Sequence, residues 1–293
     1  MVDAQRVNRA RGQEKIAKGF LFACAVLFVI AISAVLIYLT SEGLKLFFVD
    51  HISPLTFLFS PEFSPEDNHP GALVFIVGSL AVTAFALFVG GPVGLAVGVF
   101  FAELAPPRVA QIFKPAIEVL VGIPSVVYGF IGLTLLVPLI RNVTGSPGFG
   151  LLAAGIVLAV MILPTIVSLS EDAMRAVPDS YREGSLALGS TRWQMIWKVL
   201  IPAARSGLAV AVILGIARAI GETLAVQMVI GNSPVLVQGL LNPTGALPAQ
   251  IVIDMASAQQ GSVLQHSLFS MALLLLLISM GLIVLIRFVL RKK

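Results

Sequence analysis

Long apolar runs limit what this chain can fold into more than any other feature. Six of them, near 19–40, 71–101, 115–140, 149–170, 207–230 and 267–287, approach or exceed the roughly 20 residues that carry a helix across a bilayer. Backbone groups in hydrocarbon must be satisfied within their own segment, so each run reads as a transmembrane helix and the fold class as an all-α polytopic membrane protein. Charged residues, 12% of the chain, fall well below the roughly 25% of a soluble domain, which agrees with a lipid solvent.

The charges also orient the spans. Of 19 Lys and Arg residues, all but Lys45, Arg141 and Arg218 fall on one side. The positive-inside rule therefore expects both termini in the cytoplasm, as an even number of spans requires. Segments 41–70 and 231–265 are then ordered outer loops. Residues 1–70 comprise the N-terminus, first span and outer loop, 71–287 the membrane core, and 288–293 a cytoplasmic tail. A net charge of +4 could suggest nucleic acid, but no basic patch is interleaved with aromatics. The one cysteine, Cys24, excludes an internal disulfide and a multi-cysteine metal site.

Within the second run, Gly90-Gly91-Pro92 predicts a kink, and Gly90, Gly94 and Gly98 at four-residue spacing predict close approach by another helix. Residues 171–206 form the one long inward segment, punctuated as two short helices. Ser180-x-x-Glu183 predicts a capping box at the first, Gly189 a left-handed end, and Thr191-x-x-Gln194 a second capping box on a helix running to Pro202. Tyr181, Leu186, Trp193 and Trp197 are then available for contact.

Glu183-Gly184-Ser185, three residues, Gly189, nine residues and Val199-Leu200-Ile201-Pro202 resemble the EAA loop of ABC importer permeases, E-A-A, three residues, G, nine residues, I-x-L-P. Both alanines are replaced, while Glu183, Gly189 and Pro202 keep the spacing. The resemblance implies a MetI-like permease whose loop near 179–202 couples to a separate ATPase through Glu183, Gly189, Trp193 and Pro202. Val121-Gly122-Ile123-Pro124-Ser125-Val126-Val127-Tyr128-Gly129 and Arg218-Ala219-Ile220-Gly221-Glu222-Thr223, with the continuation through Asn232, resemble permeases of the phosphate-specific transport (Pst) system, PstC type. That resemblance implies a transport subunit with no ATPase site of its own. Its partners would be a PstA-type permease, a PstB-type ATPase dimer using ATP and Mg, and a periplasmic or lipid-anchored PstS-type phosphate-binding protein. The chain has no Gly-x-x-x-x-Gly-Lys-Ser/Thr loop, which also places ATP on a partner.

Arg218 and Glu222 lie inside an apolar run, where an ionisable group costs at least about 2.5–3.5 kcal/mol. On one helix, four residues apart, they share a face and can pair. They serve either as a lock between spans or as a station on an anion pathway, since a guanidinium fork suits phosphate oxygens. Pst-type permeases carry this pair at matching positions, and the resemblance implies the station. Pro124 is a gate hinge or a packing kink, and Ser125 and Tyr128 offer hydroxyls to the path. Glu118 is expected near the inner interface, and His51, His69 and His266 show no metal-ligand spacing. A secondary transporter would show repeated halves, and an intramembrane enzyme would need a nucleophile-base pair or metal ligands; neither is evident. An ABC permease for another oxyanion is the first alternative, and a secondary transporter ranks behind it.

Overall fold

The computed structural model describes residues 4–291; Lys292 and Lys293 of the expected tail lie outside the described residues. Among the described residues, six helices are long and apolar enough to cross a membrane: Ala17–Phe48, Leu73–Glu103, Ser125–Thr144, Leu151–Arg175, Arg192–Ile220 and Val263–Val284. The first belongs to α1 (Ala4–Phe48), which is followed by the short α2 (Pro54–Phe59). The second is α3, and the amphipathic α4 (Pro107–Gly122) separates it from α5 (Ser125–Thr144). Then come α6 (Leu151–Arg175), α7 (Asp179–Ala187), α8 (Arg192–Ile220), α9 (Leu224–Val229), α10 (Leu247–Met255) and α11 (Val263–Arg291).

The third and fifth spans depart furthest from the expected boundaries, and the first runs on to Phe48, past the expected end near 40. The third run, expected over 115–140, breaks at Ile123-Pro124, so that α4 and α5 are separate helices. Pro124 has no N–H and disfavours helical geometry in the residue before it, and Ile123 is extended at φ −69°, ψ 127°. With Arg108, Lys114 and Glu118, α4 buries no residue against the bundle. The fifth span starts earlier and ends earlier than 207–230, because Pro202 does not stop it and Gly221 does.

Pro202 is tolerated through a π-turn over Ile196–Leu200, in which the Ile201 N–H bonds the Ile196 carbonyl, one residue further back than in an α-helix. The same device precedes Pro138, where Gly132–Leu136 form a π-turn and the Val137 N–H bonds the Gly132 carbonyl. Pro92 lies inside α3, and the helix runs on through it to Glu103.

The core is built on α3 against α6. All three spaced glycines of α3 are buried at this contact. An added Cβ would lie 2.9 Å from the Ala159 carbonyl oxygen at Gly90, 2.8 Å from Ile166 Cγ2 at Gly94 and 2.6 Å from Ser170 Cβ at Gly98. Absence of side chains is therefore what lets the two helices meet. The end of α1 packs on α11, where Ser270 Oγ donates to the Gly43 carbonyl and His266 Nδ1 lies 2.7 Å from Asp50 Oδ2. His266, a scattered single in the sequence, is thus a buried link between first and last spans. From Ala17 to Ile37, α1 is exposed.

The segment expected as an outer loop over 231–265 is not merely a surface loop. It folds back into the bundle: Gly245 abuts Gly78 of α3, and Leu247 to Gln250 at the start of α10 are buried. The Leu247 N–H donates to Ser79 Oγ at 2.8 Å.

Gly98→Val should force α3 and α6 apart and cost about 1–3 kcal/mol as overpacking. Gly19→Val, at a glycine with nothing within 4 Å of an added Cβ, should leave thermal unfolding of the purified protein unchanged. Equal melting temperatures for the two variants would contradict the packing role.

Candidate functional site

The hairpin between α6 and α8 forms largely as its residues dictate. Gly189 takes φ +80°. Nothing lies within 4 Å of an added Cβ there, so the demand for glycine is conformational and not steric. Thr191 Oγ1 accepts from the Gln194 N–H at 3.2 Å while Gln194 Oε1 accepts from the Thr191 N–H at 2.9 Å, completing the second capping box. The first box does not form. Pro178 holds the N-cap position with φ −58°, so α7 begins at Asp179 and Ser180 is already inside it. Glu183 stands exposed on α7, and Leu188 at its end is 90% exposed.

An unforeseen residue anchors the hairpin. Arg182 Nη2 donates to Glu103 Oε1 at 2.6 Å and to the Met174 carbonyl at 2.9 Å, while Nη1 donates to the Val177 carbonyl and to Asp179 Oδ1. The Glu103 side chain is 5% exposed, so this pair is a buried clamp holding α7 to the ends of α3 and α6. Hydrogen bonding to Glu103 raises the Arg182 pKa above its already high ordinary value, and the guanidinium stays charged. Beside it, Glu171 pairs with Lys114 of α4 and with Arg175 at 2.7 Å. Glu118, also on α4, borders the same polar cleft.

Trp193 points elsewhere than the exposed face of α7. It meets Trp197 edge-on, with ring centroids 5.6 Å apart, and lines an apolar groove with Pro92, Leu95 and Phe100 of α3. Pro202 lies in the continuous helix beyond the π-turn, so the hairpin runs into span five without a stop.

Deeper in the bundle, the two remaining motifs meet. Gly129 of α5 is in tight contact with α9: an added Cβ would lie 2.9 Å from Ala225 Cα and 2.8 Å from Met228 Sδ. Tyr128 is buried, and its hydroxyl donates to the Leu120 carbonyl at 2.8 Å across the break at Pro124. Ser125 makes no side-chain hydrogen bond among the described residues.

Arg218 lies in the last turn of α8, and its Nη1 donates to Thr165 Oγ1 near the middle of α6 at 2.9 Å. Glu222 does not pair with it. The helix ends at Ile220, so the assumed four-residue helical relation is lost, and Glu222 Oε1 instead accepts from the Ala225 N–H at 3.2 Å, capping α9. Glu222 faces a small cleft lined by Ser79 and Thr83 of α3 and Pro248 of α10. The sequence signal that Glu222 would cap lay in Gly221, a helix terminator three residues before a new apolar turn.

This arrangement of spans, hairpin and broken helix is that of a membrane permease. The chain belongs to the family described as the binding-protein-dependent transport system inner membrane component, whose model matches residues 94–292. It is a multi-pass inner-membrane permease subunit of an ABC importer, and such a subunit works with a partner permease, an ATPase and a substrate-binding protein. The chain is 51% identical over 269 residues to the probable ABC transporter permease protein YqgH of Bacillus subtilis, covering 91% of this chain and 87% of the relative. It is 35% identical over 254 residues to the phosphate transport system permease protein PstC of Xylella fastidiosa strain Temecula1, covering 78% of each. Its fold is similar to that of the inward-facing methionine ABC transporter MetNI, with a TM-score of 0.53, 22% identity and coverage of 80% of this chain and 97% of that one.

Arg182→Ala should strand the buried Glu103 carboxylate and cost about 3–5 kcal/mol. Thermal unfolding of the purified subunit should reveal the loss, whereas Arg192→Ala on the exposed face of the hairpin should shift it little. A neutral Arg182→Ala would show that the clamp does not hold the hairpin.

Proposed function

We propose that this permease moves inorganic phosphate into the cytoplasm, with Arg218 as the anion station. The observation that carries the reading is a guanidinium in the middle of the bundle with one of its five N–H donors used, on Thr165. A doubly charged oxyanion crossing hydrocarbon needs compensating positive charge, and the free Nε and Nη2 edge is the fork that bonds two phosphate oxygens at once. Similarity to relatives named as PstC permeases supports phosphate over other oxyanions.

The partners in this reading are a PstA-type permease, a PstB-type ATPase dimer that binds ATP and Mg, and a PstS-type phosphate-binding protein outside. Both termini and the hairpin face the cytoplasm, and 41–70 faces outward. Glu183 and the exposed Leu186 to Leu188 turn dock on the ATPase, with Gly189 setting the angle of the hairpin. The Arg182–Glu103 clamp carries that motion into α3 and α6, and Pro124 serves as the hinge between α4 and α5. Glu222 supports the pathway by fixing α9 behind Tyr128 and Gly129, not by neutralising Arg218; Ser125 offers a free hydroxyl beside the break.

Arg218→Gln should lower phosphate uptake by the assembled transporter more than about ten-fold, while the complex still purifies intact. Glu222→Gln should transport, since the amide oxygen can still accept the Ala225 N–H, and combining the two changes should be no worse than Arg218→Gln alone. Normal uptake by Arg218→Gln removes the station. Sulfate uptake exceeding phosphate uptake by the unaltered complex would keep the station and change the substrate.

Orientation has its own test. In a Cys24→Ala background, Ser64→Cys should react with an impermeant thiol reagent on intact cells and Leu188→Cys should not. The reverse pattern inverts the topology.

A further inference from the structure

We infer that Thr165 is a positioning residue that sets the direction of the Arg218 guanidinium, an inference that rests on Arg218 being the anion station. A threonine inside a helix ordinarily turns its hydroxyl back on its own chain, to the carbonyl three or four residues earlier. Thr134 and Thr144 do so here, donating to the carbonyls of Phe130 at 2.8 Å and Ile140 at 2.7 Å. Thr165 makes no such bond among the described residues. Its Oγ1 accepts from Arg218 Nη1 at 2.9 Å, and this is the guanidinium's one hydrogen bond among the described residues.

The consequence is geometric. Arg218 is attached near the end of α8 by a flexible stem, and Thr165 sits on a different helix, α6. Holding Nη1 on Thr165 restricts where the guanidinium can turn and leaves the opposite edge, Nε and Nη2, as the free fork. Both side chains are half-buried, so the fork is neither sealed in the core nor free in lipid. The adjoining Pro164 and Ile166 are buried in the packed face of α6, which makes Thr165 a fixed post. The Thr165 hydroxyl proton is itself uncommitted and can be given to an anion oxygen.

The test uses the complete transporter in proteoliposomes, with partner permease, ATPase and binding protein, and reads labelled inorganic phosphate taken up against ADP released. Thr165→Val keeps the shape and removes the hydroxyl. It should lower phosphate moved per ADP about five-fold, the scale of one lost hydrogen bond, while binding-protein-stimulated ADP release persists. Thr165→Ser should restore the ratio to within about two-fold of the unaltered complex. An unchanged ratio in Thr165→Val overturns the inference, as does an equal defect in Thr165→Ser or a parallel fall of uptake and ADP release. Arg218→Gln in the same assay separates the two claims: if it abolishes uptake while Thr165→Val is normal, only the role of Thr165 fails. If Arg218→Gln transports normally, the station fails and Thr165 has nothing to position.

Discussion

Hydrocarbon supplies no partner to a backbone group that its own helix leaves unbonded, and the interruptions in this bundle are organised by that constraint. Pro138 and Pro202 each remove a donor from a span, and in both cases a π-turn just upstream shifts the bonding by one residue. At the Pro124 break, the Tyr128 hydroxyl reaches back to the Leu120 carbonyl. Past Gly221, Glu222 takes the Ala225 N–H at the start of α9, and at the start of α10 Ser79 takes the Leu247 N–H from another helix. Polar side chains at these places hold broken helices together, and α9 packs against both α5 and α10, with Glu222 beside Pro248 of α10.

Dense and loose packing are separated accordingly. Where α3 meets α6, glycine in one helix removes side-chain thickness and the contact is dense. By contrast α4 buries no residue, and an ion pair from Lys114 to Glu171 ties it to α6. The hairpin stands between these extremes. Its outer turn is exposed and apolar, yet Arg182 joins it to the ends of two core helices through a buried carboxylate. Arg182 thus ties the hairpin to α3 through Glu103 and to the end of α6 through the Met174 carbonyl.

Much of this was legible in the residues. Local rules governed the left-handed Gly189, the Thr191 capping box and the glycine row on α3, since each depends on a few neighbouring residues. Local rules also misled where two of them competed. Ser180 and Glu183 fit a capping box, but Pro178 started the helix first. Pro202 reads as a stop, but a π-turn absorbs it inside a helix whose apolar face continues. Arg218 and Glu222 were placed on one helix because apolarity continues past Gly221, whereas the helix does not.

The sequence by itself determined that this chain spans a membrane six times, where its charges gather, and that a capped hairpin joins spans four and five. Those follow from transfer energies and backbone preferences, which act over a turn or a span. Only the tertiary structure decided which side chains meet across helices: Thr165 with Arg218, Glu103 with Arg182, Asp50 with His266 and Ser79 with Leu247. Such partners are separated by 53 to 216 residues in the chain. Their meeting depends on the crossing and depth of whole helices, which hydrophobic periodicity does not encode because lipid and a neighbouring helix are equally apolar.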